Sequence, residues 1–193
     1  RDRFSTQLAW YSLSYGIALS VFVIVFARFN FSGGGLVLLA LYIVPAIPFT
    51  LANICLSLLF KFRSDLIGRL YFLDLTGASL GVLSAIVLLS FFSAVNVFLI
   101  AGLIGLVAAG LFGCEQKRFL LITKILVLVV VAFTAINQHY NVVDVIYGRR
   151  GEENNNIFTK WNAFSRISVQ VEKEPRLLKS LRPDPNAEPL PEQ

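Results

Sequence analysis

Apolar residues in this chain fall in long unbroken runs, not at the 3.6-residue spacing that gives a soluble helix one wet face. The runs cover residues 8–26, 36–60, 70–112 and 119–136. Crossing about 30 Å of hydrocarbon at 1.5 Å per residue takes about 20 apolar residues. The stretch 70–112 is therefore long enough for two crossings and is split near 91–96. The pattern predicts an all-α polytopic membrane protein with about five transmembrane helices, at 8–26, 36–60, 70–90, 95–112 and 119–136. Trp10, Tyr11 and Tyr15 lie toward one end of the first span, where an interfacial aromatic belt would hold them. Pro45 and Pro48 remove two backbone donors from the second span and predict a kink there.

The character changes to polar after Ile136, which divides the chain into a membrane domain, 1–136, and a tail, 137–193. Gly33, Gly34 and Gly35 mark a turn between the first two spans. Residues 138–156 read as a juxtamembrane linker with turns at 148–151 and 154–156. Residues 164–172 alternate, with Ile167, Val169 and Val171 on one side and Ser168, Gln170 and Glu172 on the other. That is the pattern of one β-strand with a buried β-branched face. A lone strand is not stable, so its partners are expected beyond Gln193 or in another chain. The proline-rich stretch 173–193 reads as irregular.

Composition and charge fit this picture. Hydrophobic residues make up 56% of the 193 and charged residues 15%, against roughly 45–50% and about 25% in soluble proteins. The membrane part carries nine Lys and Arg against four acids, and the tail eight against eight. The basic excess thus sits in short loops between spans, where headgroups and insertion topology use it, and nucleic-acid binding is set aside. Arg1, Arg3, Lys61, Arg63, Arg69, Lys117 and Arg118 fall on one side of a five-span topology, and Arg28, Arg149 and Arg150 on the other. That imbalance makes the first side cytoplasmic and the tail external. Cys55 and Cys114 form no disulfide framework. The absence of Met, even at position 1, and the proline-rich end are expected of a piece of a longer protein.

Candidate chemistry concentrates around the start of the third span. Asp74 lies one turn inside it, with Gly77, Ala78 and Gly81 at i+3, i+4 and i+7 on the same face. An intramembrane acid is costly and should face protein or water. One reading makes Asp74, with Arg69 beside it, a substrate-binding pair, or Asp74 a cation site in a transport or solute-binding bundle, for example for a polyamine. The other makes Gly77, Ala78 and Gly81 a close-packing seam with Asp74 satisfied by Arg69, Arg63 or backbone. Gly105 and Ala109 in the fourth span repeat the small-residue spacing and are expected to pack. Asn53 and Asn96 are expected to be inter-helix hydrogen-bonding or turn residues. His139 has no Cys or carboxylate at metal-ligand spacing, so no metal site is expected, and no phosphate loop or nucleophile elbow appears.

Three stretches carry a resemblance to a known family. They are Ala46-Ile47-Pro48-Phe49; Arg69-Leu70-Tyr71 running into Asp74-Leu75-Thr76-Gly77-Ala78 and Gly81; and Tyr147-Gly148-Arg149 followed by Lys160-Trp161-Asn162-Ala163-Phe164-Ser165-Arg166-Ile167. Over residues 40–172 the chain resembles the membrane-bound spermidine synthase-like proteins of bacteria, whose multi-span N-terminal region precedes an aminopropyltransferase-type domain. The resemblance implies an inner-membrane location and a following doubly wound domain that binds decarboxylated S-adenosylmethionine and a polyamine. It also implies that the glycine-rich nucleotide loop lies after this chain's last residue, so no catalytic residue carries over. Expected partners are the lipid bilayer, that C-terminal domain and a second copy of the chain. A cytoplasmic cofactor conflicts with an external tail, and the sequence leaves that conflict open.

Overall fold

Hydrocarbon offers a backbone no hydrogen-bond partners, so each span closes its N–H and C=O groups within its own helix. In the computed structural model these are α1 (Asp2–Arg28), α2 (Gly35–Phe62), α3 (Ile67–Phe91), α4 (Ala94–Phe112) and α5 (Lys117–Tyr140), with a 3-10 turn at Ser64–Leu66 before α3. All five helices are long and apolar enough to cross a membrane. The structure describes residues 2–28, 35–144, 147–148, 151–152, 156–162 and 165–170. The glycine turn at 33–34, Arg149, Arg150, the turn at 154–155, Val171, Glu172 and 173–193 lie outside them.

The long apolar stretch divides at Phe92 and Ser93. Phe92 is extended (φ −122°, ψ 155°), and the Ser93 hydroxyl accepts from the Asn96 N–H at 3.4 Å to cap α4. α2 is assigned as helix through both Pro45 and Pro48. Hydroxyls inside the spans return to their own helix: Ser20, Thr50, Thr76, Ser79, Ser90, Thr123 and Thr134 each donate to the carbonyl four residues back, at 2.7–3.2 Å. That leaves no bare hydroxyl among them for lipid.

α1 and α4 form the centre of the bundle. Their backbones meet at glycines: a Cβ on Gly16 would lie 2.8 Å from the Gly102 carbonyl oxygen, and one on Gly102 would lie 3.1 Å from that of Gly16. The Tyr15 ring fills the space beside Gly105. Tyr15 therefore packs between helices and does not belong to an interfacial belt, whereas Trp10 is exposed and meets the edge of Phe119 at 5.3 Å. Two apolar clusters flank the crossing. Ala9, Leu13, Leu106, Ala109 and Phe119 lie on one side of it, and Val23, Ala27, Val95, Leu99 and Val143 on the other. α2 leans on α1 and α5 on α4, while α3 has no buried residue.

The strand expected at 164–172 is observed as β4 (Arg166–Gln170), and its partner lies within the chain. After the two-residue strands β1 (Tyr147–Gly148) and β2 (Gly151–Glu152), which pair with each other, β3 (Asn156–Trp161) runs antiparallel to β4. β3 carries no clear strand pattern in the sequence, because Asn156, Thr159 and Lys160 interrupt its apolar alternation. The expected burial is also reversed. Phe158, Ile167 and Val169 are 54%, 50% and 47% exposed, while the Trp161–Arg166 pair is on the opposite face of the hairpin, toward the bundle.

The glycine contacts give a direct test. Gly16→Ala should lower the stability of the bundle in detergent by about 1–3 kcal/mol, because backbone stands where the methyl must go. Gly68→Ala, whose Cβ meets nothing within 4 Å, should be neutral or stabilising by up to about 1 kcal/mol through helix propensity. Thermal unfolding of the two variants in the same micelle compares them.

Candidate functional site

Polar groups gather in three places, and the best satisfied is at the tail end of the bundle. Asn96 lies in the first turn of α4 and Asn137 in the last turn of α5, and each is 1% exposed. The Asn137 Nδ2 donates to Asn96 Oδ1 at 2.7 Å, and Asn96 Nδ2 donates to Gln138 Oε1 at 2.6 Å. Gln138 Nε2 in turn donates to the Phe91 carbonyl at 3.3 Å, joining the end of α3. Asn137 Oδ1 accepts the Val143 N–H at 2.6 Å, and Arg28 donates to the Val142 carbonyl at 2.5 Å. Asn141 takes the left-handed conformation (φ 48°, ψ 43°) and donates its N–H to Asn137 O at 2.9 Å. Asn adopts this geometry more readily than most residues. The chain leaving the membrane is thus held by α1, α4 and α5 together.

The hairpin β3–β4 is tied to the same end. Arg166 Nη2 lies 3.7 Å from Asp144 Oδ2, just past this latch of Arg28, Asn96, Asn137 and Gln138, and its guanidinium is 5.9 Å from the centre of the Trp161 ring. Asn162 and Ser165 close the hairpin through Asn162 N–H to Ser165 O at 3.0 Å and Ser165 N–H to Asn162 Oδ1 at 2.7 Å. Beneath it, Ala85 and Leu89 of α3 with Ala94, Val97, Phe98 and Ala101 of α4 line an apolar cleft of about 400 Å³ roofed by Trp161.

At the opposite end lies an open cleft of about 880 Å³ with Arg3, Arg63, Asp65 and Glu115 on its walls. Arg63 Nε is 3.5 Å from Asp65 Oδ1 there, and both side chains are largely exposed. Arg63 is therefore engaged by Asp65, so it does not serve the acid expected to need it. Asp74 is exposed on α3, and neither Arg69 nor Arg63 forms an ion pair with it. The positions beside Gly77 and Gly81 have no neighbour within 4 Å. Asp74 and Arg69 are thus not brought into a pocket with other functional groups, and Gly77, Ala78 and Gly81 face open space. Gly105 and Ala109 lie in the α1–α4 core. Asn53 is exposed on α2, and the His139 ring stacks edge-on against Tyr140 at 4.6 Å.

Lys124 stands alone in an apolar run, with no motif in the sequence to single it out. It is exposed on α5, seven residues from the helix start. Among the described residues no three His, Cys, Asp or Glu side chains group to hold a metal. No protein-family model, curated protein or solved structure matches the chain. What the tail-end arrangement can do is mechanical. Its amides satisfy one another and hold the segment that follows α5 against the bundle.

The latch makes a measurable prediction. Asn137→Ala strands Asn96 Oδ1 and the Val143 N–H together, and about 1–3 kcal/mol is the usual cost of a buried group left unpaired. Asn96→Ala should cost a similar amount. The double variant should cost less than the sum, by about 0.5–2 kcal/mol, the coupling of groups in one network. Strict additivity in a denaturation cycle would show that the two amides act independently.

Proposed function

We propose that this chain is the membrane module of a spermidine synthase-like protein, and that it holds the opening of an extramembrane transferase domain at a fixed place on the bundle. The observation that carries the reading is the latch. Arg28, Asn137 and the Asp144–Arg166 pair secure the segment between α5 and the hairpin. A plain anchor would have no use for a buried amide network at the point of exit. The resembling stretch Lys160-Trp161-Asn162-Ala163-Phe164-Ser165-Arg166-Ile167 covers the end of β3 and the start of β4, with Asn162 and Ser165 closing the turn. The half-exposed Phe158, Ile167 and Val169 give the hairpin a second apolar face on which further strands or helices of such a domain would pack.

In this reading the five helices belong to a multi-pass protein of the bacterial inner membrane and bind no cofactor. Decarboxylated S-adenosylmethionine and the polyamine acceptor would be bound by the domain that follows the hairpin. The competing transport reading asks one carboxylate, Asp74, to hold a polyvalent cation. Among the described residues Asp74 belongs to no cluster of three or more His, Cys, Asp or Glu side chains and is exposed on α3, so the module reading is preferred.

Membranes carrying the whole protein should transfer an aminopropyl group from decarboxylated S-adenosylmethionine to putrescine, with the activity retained in the membrane pellet. No transfer above that of membranes lacking the protein would overturn the proposal. Arg28→Ala should leave the helices inserted but speed proteolysis of the segment at 141–144 severalfold, because the population of the locally opened exit rises.

A further inference from the structure

Asp74 and Lys124 share an environment that neither can keep alone. Asp74 lies seven residues after the start of α3 and Lys124 seven after the start of α5. Both helices run the same way across the membrane, because α4 between them crosses back. Counted from the last flanking cation, Arg69 or Arg118, the depths are five and six residues. The acid and the base thus lie at the same level, about 10 Å inside their helices. Both are exposed, neither has an ion pair or hydrogen bond among the described residues, and α3 and α5 do not pack along their length, although Gln138 reaches the Phe91 carbonyl at their far ends. A lysine stem can snorkel toward the headgroups; an aspartate at that depth has little reach.

The faces around the two charges are complementary in shape as well. Along α3, Asp74 is followed on one face by Ala78 and Gly81, with open space beside the glycine. Along α5, Lys124 is followed at the same spacing by Leu128 and Val131, which are 69% and 47% exposed. Laid parallel with Lys124 opposite Asp74, Leu128 falls opposite Ala78 and Val131 opposite Gly81. Large side chains meet small ones at each step, which is how helices approach closely in lipid.

We propose that a second copy of this chain docks on α3 through its own α5, pairing its Lys124 with Asp74 at the same depth. Opposite charges at one level and one orientation fix the occupant. Two copies inserted by the same loop charges present parallel α3 and α5 helices in register. The contact is independent of any transferase activity and needs no ligand.

Cysteine cross-linking in membranes tests it on the full chain, with Cys55→Ser and Cys114→Ser removing the native thiols. Two differently tagged copies are co-expressed, one carrying Asp74→Cys and the other Lys124→Cys, and oxidised with copper phenanthroline. The expected product is a disulfide-linked dimer bearing both tags, with far less product when Leu73→Cys replaces Asp74→Cys. Mixed membranes that stay monomeric would overturn the proposal. So would a chain carrying both cysteines that closes only on itself, since that outcome places α3 against α5 within one copy. Charge exchange supplies a second readout. Asp74→Lys and Lys124→Asp should each weaken self-association in micelles by about tenfold or more, the equivalent of about 1.4 kcal/mol. Combining them should restore it, and singles that associate like the parent chain would refute the pairing.

Discussion

The close approach of α1 and α4 is the contact on which the rest of the structure depends. In lipid, apolar surface gains little by leaving its solvent, so helices associate where backbones come near enough for dispersion and short polar contacts to add up. Gly16 and Gly102 allow that approach, and Tyr15 seals it beside Gly105. Both buried clusters border this pair. α5 then packs on α4, and α2 on α1, each extending a surface that the crossing has already fixed.

The crossing also decides where the polar latch can form. Because α1 and α4 are antiparallel neighbours, the end of α1 and the start of α4 lie together, and α5 returns to the same level. Arg28 of α1, Asn96 of α4 and the neighbouring Asn137 and Gln138 of α5 gather at that end, Arg28 through the Val142 carbonyl and the amides with one another. At the other end, Gln116 donates to Thr6 at 3.1 Å and the Phe4 and Phe62 rings lie 4.9 Å apart, a looser and wetter set of contacts. The bundle is therefore firm where the chain leaves it and open where its loops carry most of the basic charge.

α3 stands apart from this arrangement. A helix without a buried residue would be anomalous in water, yet in hydrocarbon its apolar side chains are at no disadvantage. What is anomalous on it is Asp74, since an acid costs about 2.5–3.5 kcal/mol at mid-bilayer on insertion scales, and less toward the helix end where this one lies. The same accounting applies to Lys124 on α5, softened by its long stem. Neither charge has an ion pair among the described residues.

Five spans were legible in the sequence because the bilayer imposes length and apolarity on every crossing, and the break at Phe92–Ser93 followed from that length alone. The strand at β4 was legible through its alternation, and the bonding potential of Asn96 through its polarity inside an apolar run. The sequence could not reveal that β3 pairs with β4, because Lys160 and Thr159 hide the pattern that hydrogen bonding to the neighbouring strand supplies. Nor could it show that Ile167 and Val169 face outward, since alternation fixes two faces without naming the buried one. Asp74 stood out as a costly residue, but its failure to meet Arg69 or Arg63 is a matter of side-chain reach in three dimensions. The amide network, too, needed the tertiary structure. Spans record what the solvent demands of each segment separately, while Asn96 meets Asn137 because α5 turns back after α4 and packs along it, which puts the start of one beside the end of the other.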